Sequence, residues 1–341
     1  MSYENYHTLA EIKSQTTAWQ AALAHVKDTD LPLATNYEHV VFTGCGSTYY
    51  LSLSAAALYQ TLTARPASAT PGGELLLNPR TTLTNGRTLL VAISRSGTTT
   101  ETVKAVERFQ EQGRGDVAII TNSPAAPLTE QADIAIVIPE GQEESVAQTR
   151  SFASMFVAAT AFSLRMADKS NGLLHAMEAL PEVGESLLQR YDALAREVGE
   201  NLHYDRFYFL GSGIRYGLAS EVNLKMKEMT LTHSEPFHFL EFRHGPMSMV
   251  NEQAVVVGLV STENFSHEWA VLEEMQALGG TIFSLGESNT DVEFHSSIPE
   301  HVRGVLYLPV LQLMAFYRSR AKGLNPDRPT NLTAVVELDN L

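Results

Sequence analysis

VVFTG (residues 40–44), CGSTYY (45–50) and LSLSAAALYQTL (51–62) follow one another without a break, and together they read as strand, glycine turn and helix. The apolar run is too short for a helix and ends on glycine, while the segment after the turn is long enough for about three turns of helix. A second unit of the same kind follows: a strand over residues 88–93, the turn SRSGTTTE, and a helix carrying Val103, Val106 and Phe109. Further strands are expected at 117–121 and 135–138, after an amphipathic N-terminal helix over residues 3–25. Strands alternating with helices of this length predict a parallel sheet covered on both faces.

The pattern then returns. FYFLGSG (207–213) mirrors FTGCG (42–46), and Gly44 and Gly211 stand 167 residues apart (211 less 44). The junction Ile93–Ser94 matches Val260–Ser261 at the same spacing. Two landmarks with one offset predict an internal duplication, giving two tandem three-layer α/β/α domains, each with a flavodoxin-like parallel sheet. The expected division is 1–180 and 181–341, with the boundary in the helical stretch between Gly172 and His203. At 341 residues, two domains is also what length alone suggests.

Composition narrows the function. Thirty-nine acidic residues against 24 basic ones give a formal charge of -15, so the field of the whole molecule repels nucleic acid and anionic membranes. Neither is expected as a partner. A single cysteine, Cys45, excludes a disulfide framework and suits a reducing compartment. The N-terminus lacks a signal-peptide pattern and no apolar run reaches membrane-spanning length, so a cytoplasmic location is expected.

In an acidic protein, a phosphate must be held by local neutral donors. The turn Ser94, Arg95, Ser96, Gly97, Thr98, Thr99 precedes a helix whose first-turn N–H groups and macrodipole favour an anion, and glycine admits close approach of the backbone. Gly46, Ser47 and Thr48 make a second donor-rich turn at the carboxyl end of the first strand, the edge where open α/β sheets bind ligands. The plain alternative is a helix N-cap, for which Ser and Thr are favoured anyway. The corresponding turn of the second half, Ser261-Thr262-Glu263-Asn264, lacks the glycine and the hydroxyl cluster, and Glu263 would repel phosphate.

CGSTY (45–49), SRSGTTTET (94–102), VAQTRSF (146–152), the stretch from Glu221 to Glu228 and EFRHGP (241–246) together resemble the SIS (sugar isomerase) domain family. Their order is similar to the isomerase half of glucosamine-6-phosphate synthase and to stand-alone deaminases and deglycases of that family. The resemblance implies a phosphorylated sugar or amino sugar held at Ser94, Ser96, Thr99 and Thr48, with Arg95, Gly97, Gly46, Ser47 and Gln148 in the same cradle. It further implies Val146 and Ala147 along the sugar, and a homodimer with shared active sites. Two departures matter. Residue 2 is Ser and the only cysteine is at 45, so glutamine-dependent amidotransfer is not expected. Ala334 stands where the synthase carries the lysine that captures the sugar as a Schiff base.

Glu221, Lys225 and Glu228 lie at spacings of four and three on one helix face. A solvated ladder of ion pairs is the ordinary reading of such a face. The resemblance implies instead that Glu228 carries a proton between C1 and C2 of an open-chain sugar, that Lys225 stabilises the developing charge, and that His244 opens the ring from the neighbouring subunit. His233, His238 and His244 with Glu235 and Glu241 match no helical ligand pair, so no metal is expected, and the chemistry calls for no cofactor. The expected reaction is conversion of glucosamine 6-phosphate, or a close relative, to fructose 6-phosphate and ammonia. Rivals are a fructosamine-phosphate deglycase, a plain sugar-phosphate isomerase, and a non-catalytic phosphosugar sensor.

Overall fold

The structure, a computed structural model, describes residues 3–168, 170–335 and 338. A long helix, His7–Asp28 (α1), opens the chain and buries Leu9, Ile12, Trp19, Ala22 and Val26, the three-to-four spacing of one helix face. The chain divides into two compact units. The N-terminal unit comprises residues 14–143, 148–178 and those from Thr333 onward; the C-terminal unit comprises residues up to Lys13, 144–147 and 179–332.

In the N-terminal unit the elements run His39–Gly44 (β1), Ser47–Thr63 (α2), Ala67–Pro71 (β2), Gly72–Leu77 (α3), Thr88–Ser94 (β3), Thr100–Glu111 (α4), Gly115–Thr121 (β4), Pro127–Gln131 (α5), Ile134–Val137 (β5), Arg150–Met166 (α6) and Ser170–Met177 (α7). All neighbouring strands pair in parallel, in the order β2-β1-β3-β4-β5. Leu89 to Ile93 have no exposed surface, as a central strand covered on both faces requires. One face packs Val41, Leu90 and Ala92 with Val106 and Phe109 of α4.

The C-terminal unit repeats this plan with Leu180–Arg190 (α8), Asp192–Glu200 (α9), Arg206–Leu210 (β6), Arg215–Thr230 (α10), His233–Phe237 (β7), Ala254–Leu259 (β8), Phe265–Ala277 (α11), Thr281–Gly286 (β9), Val292–Glu293 (β10) and Leu308–Ala321 (α12). Its sheet order is β10-β9-β8-β6-β7, again parallel. Numbered within each unit, both sheets are 2-1-3-4-5, the flavodoxin-like order. The strand starts keep the offset read from the sequence to within one residue: His39 to Arg206 is 167 residues, while Ala67 to His233, Thr88 to Ala254 and Gly115 to Thr281 are 166 each. The two sheets are copies of one design.

The order reverses between β1 and β3 in one unit and between β6 and β8 in the other. Turns at the carboxyl ends of these strand pairs are therefore the places a ligand is expected. The edge strands β2 and β7 were absent from the sequence expectation. ASATP and HSEPF carry no run of large apolar residues, because an edge strand is only half covered. Among the described residues no helix is long and apolar enough to cross a membrane.

Candidate active site

In the N-terminal unit, β3 delivers Ser94 to the turn and α4 begins at Thr100. The Ser94 hydroxyl accepts the Gly97 N–H at 3.0 Å, and the Ser96 hydroxyl accepts both the Thr98 N–H (3.2 Å) and the Thr98 hydroxyl (3.0 Å). These bonds fold the turn onto itself. Gly97 adopts φ +68°, and a Cβ there would fall 2.1 Å from that of Ala126, so only glycine fits. Thr99 occupies the N-cap position yet its side chain does not cap the helix. The amides of Ser96 and Thr99 make no hydrogen bond among the described residues. An ordinary N-cap would turn its hydroxyl on a first-turn amide; the Thr99 hydroxyl does not, and the turn before it presents two amide donors without a partner among the described residues.

Beside it, β1 pairs with β3 and ends in the Cys45–Gly46 turn. Gly46 takes φ +56°. Ser47 and Thr48 are buried, and the Thr48 hydroxyl accepts the Cys45 N–H (2.9 Å) and donates to the Cys45 carbonyl (3.0 Å), so it braces the turn. Burial pushes the Cys45 thiol up, away from thiolate. Arg95 donates from Nη2 to the Ala334 carbonyl at 3.0 Å, and its Nη1 lies 3.7 Å from the buried Glu143 carboxylate. Ala334 itself is exposed.

Glu143 was not singled out from the sequence. Its carboxylate accepts the Thr149 amide (3.0 Å), the Arg150 amide (3.0 Å) and the Ser151 hydroxyl, so it satisfies the N-terminus of α6. Gln148 precedes that helix, and its buried Oε1 has no hydrogen-bond partner among the described residues. In the C-terminal unit the Val146 amide donates to the Asp327 carbonyl at 3.0 Å, and Ala147 is buried.

Also in the C-terminal unit, α10 leaves the glycine turn after β6 and brings Glu221, Lys225 and Glu228 together. Lys225 Nζ sits 2.6 Å from Glu228 and 3.4 Å from Glu221. Lys225 and Glu221 are each only 1 % exposed, whereas the Glu228 side chain keeps 20 % of its surface. A solvated ladder is therefore not what the helix carries. It carries a buried ammonium between two carboxylates, one of which reaches the surface.

His244 lies outside this cluster, exposed in the turn after Glu241–Arg243, its amide donating to the Glu241 carbonyl at 2.9 Å. Sequence reasoning passed over the pair at the head of α10, where the Tyr216 and His238 rings stack at 4.0 Å; burial lowers the His238 pKa.

The C-terminal counterpart of the Ser94–Thr99 turn is filled by the protein itself. Glu268 Oε2 accepts the Ser261 N–H at 2.6 Å, and Glu300 Oε2 accepts those of Thr262 (2.9 Å) and Glu263 (3.2 Å). Arg215 bridges the two carboxylates at 2.7 and 2.5 Å. The backbone turn whose Ser96 and Thr99 amides have no partner among the described residues in one unit holds glutamate in the other.

The sequence pattern of the SIS domain matches residues 34–165 and 203–317. Glutamine–fructose-6-phosphate aminotransferase (isomerizing) of Pyrococcus horikoshii is 31% identical over 99% of the chain and 58% of its own length. The chain spans little more than half the length of the curated relatives it matches. Among solved structures, glucosamine-6-phosphate deaminase of Thermotoga maritima has a TM-score of 0.85 at 25% identity, covering 97% of this chain and all of that one. Tagatose-6-phosphate ketose/aldose isomerase of Escherichia coli has a TM-score of 0.86 at 22% identity, covering 97% of both chains, and shows the shared fold.

Proposed function

The chain belongs to the SIS domain family, and from that premise we propose that it is a phosphosugar isomerase–deaminase, converting glucosamine 6-phosphate to fructose 6-phosphate and ammonia without glutamine. The phosphate is gripped by the turn Ser94–Thr99, whose Ser96 and Thr99 amides have no other partner among the described residues. His244 passes the ring-opening proton. Glu228 takes the proton from C2 and returns it to C1, Lys225 stabilising the charge that develops between. The ketimine so formed adds water and loses ammonia, which balances the reaction as amino sugar plus water to ketose plus ammonia.

The observation that carries this reading is the asymmetry of the α10 cluster. Its carboxylates share one buried ammonium, yet only Glu228 keeps access to solvent. A module that merely binds phosphosugars has no use for a charged base held this way. A second copy of the chain is proposed to receive the exposed His244 turn, where Leu240 and Met249 are more than half exposed, at 53% and 55%. A cytoplasmic setting fits the single cysteine.

The test is direct. Purified protein is incubated with glucosamine 6-phosphate, its galacto epimer and fructosamine 6-phosphate while ammonia and ketose phosphate are followed. The expected result is stoichiometric ammonia and fructose 6-phosphate from the first, with Glu228→Gln slower by about 10²–10⁴-fold in kcat. Ketose without ammonia from a plain aldose phosphate would reassign the enzyme to simple isomerisation. Near wild-type turnover of Glu228→Gln would remove the base.

A further inference from the structure

Three arginines gather at the amino-terminal edge of the N-terminal sheet, opposite to the Ser94–Thr99 turn. Arg80 comes from the short turn Pro79–Thr81, Arg108 from the last turn of α4, and Arg114 from the loop into β4. With Pro79 and Gln112 they line a concavity of about 280 Å³, and no carboxylate among the described residues lines it. It shares Gln112 and Arg114 with a wider, shallower depression of about 680 Å³, completed by Asn85, Arg87, Gly113, Gly115 and Asp116.

The charges here are poorly compensated from within. Asp116 is spoken for by Arg87 at 2.9 Å and by the Tyr37 hydroxyl at 2.6 Å. The carboxylate nearest Arg108 is Glu111, 3.9 Å away on a side chain 70% exposed. Arg80 makes no hydrogen bond or ion pair among the described residues. Arg114 is oriented by donating from Nη1 to the Thr84 carbonyl.

A helix C-terminus attracts cations, which accounts for Arg108 alone. It does not account for Arg80, carried by a different element, nor for three guanidiniums turned on one hollow in a protein of net charge -15. Convergent guanidiniums repel one another unless an anion lies between them, and their planar forks match phosphate oxygens.

We propose that this groove binds an oligophosphate. Two or more linked phosphates would lie among Arg80, Arg108 and Arg114, and the rest of the metabolite in the wider depression, where Asn85 and Gln112 offer amide groups. It is distinct from the substrate turn. The seven residues of β3 separate the two edges, about 20 Å at the usual strand rise. Helix α4 joins them, beginning at Thr100 beside the substrate turn and ending at Arg108 and Gln112 in the groove. Binding there is a natural way to report on phosphate supply.

Calorimetric titration of the full chain with sodium pyrophosphate and tripolyphosphate, against orthophosphate, tests the idea without any enzyme assay. Its failure would leave the proposed reaction untouched. The expected result is one site per chain, tripolyphosphate binding tightest, with Arg80→Gln/Arg108→Gln weakening it by about tenfold or more. Arg80→Lys/Arg108→Lys is expected to retain part of the affinity, and Ser96→Asp in the substrate turn to retain all of it. No binding at low salt, binding indifferent to the glutamine pair, or binding abolished by Ser96→Asp would overturn the proposal. The last would mean that the oligophosphate had entered the substrate turn instead. Equal melting temperatures of all variants exclude misfolding as the cause, since every altered side chain is exposed or partly exposed.

Discussion

Lys225 has two carboxylates within reach and almost no water, and this decides what kind of interaction it makes. On a solvated face, removing the lysine would cost less than about 1 kcal/mol. Buried, its removal leaves Glu221 charged in a medium that cannot solvate it, so Lys225→Met is expected to lower stability by about 3–5 kcal/mol. Lys225→Met/Glu221→Gln removes both charges and should recover much of that loss. Urea denaturation of the two variants against the parent reads the difference, and a Lys225→Met loss below 1 kcal/mol would return the cluster to the surface. The spacing of Glu221, Lys225 and Glu228 on one face was legible in the sequence, because helix geometry is local. Their burial was not, because it depends on α12, which begins 80 residues after Glu228 and packs over α10. Thr48 shows the converse: its hydroxyl was recognisable as part of a donor-rich turn, yet the fold sets it to bracing Cys45.

At the scale of elements, the two strand–turn–helix units after β3 and β8 began as the same object and now differ in what fills the turn. The sequence expectation that the second turn is no phosphate cradle rested on its missing glycine and hydroxyl cluster and on repulsion by Glu263. The structure gives a different physical reason, since the Glu263 amide is a donor and the occupying anion is Glu300, 37 residues on. Only tertiary structure could supply that partner, for nothing in the sequence around Ser261 points to it. Glu300 accepts two amides and pairs with Arg215, so Glu300→Ala should cost about 2–3 kcal/mol, somewhat less than a fully buried pair because its side chain keeps 21% of its surface. Thermal unfolding of the variant checks this, and an unchanged melting temperature would show the bridge to be ornamental. The strand–turn–helix repeat itself was readable because central strands are continuous apolar runs. Edge strands β2 and β7, and the break at Tyr191 between α8 and α9, were not, since their limits are set by neighbours and not by their own pattern.

For the whole molecule, duplication raises a question of number: if the proposed phosphate turn were kept in both copies, the chain would hold two phosphosugars. The acidic balance argues that neither is captured by long-range attraction, so each copy must bind with its own donors or not at all. In the first copy the Ser96 and Thr99 amides have no partner among the described residues, and the hydroxyls around them are neutral. In the second, the amides of Ser261, Thr262 and Glu263 already donate to Glu268 and Glu300, and a phosphate dianion brought there would face two carboxylates. Displacing either would strand Arg215, whose guanidinium is almost wholly buried. One fructose 6-phosphate per chain is therefore the expected calorimetric stoichiometry, lost in Ser96→Asp and unaltered in Glu263→Gln. A stoichiometry of two would mean that the second turn can exchange its own glutamate for ligand, and that the copies have diverged in strength of binding without diverging in role.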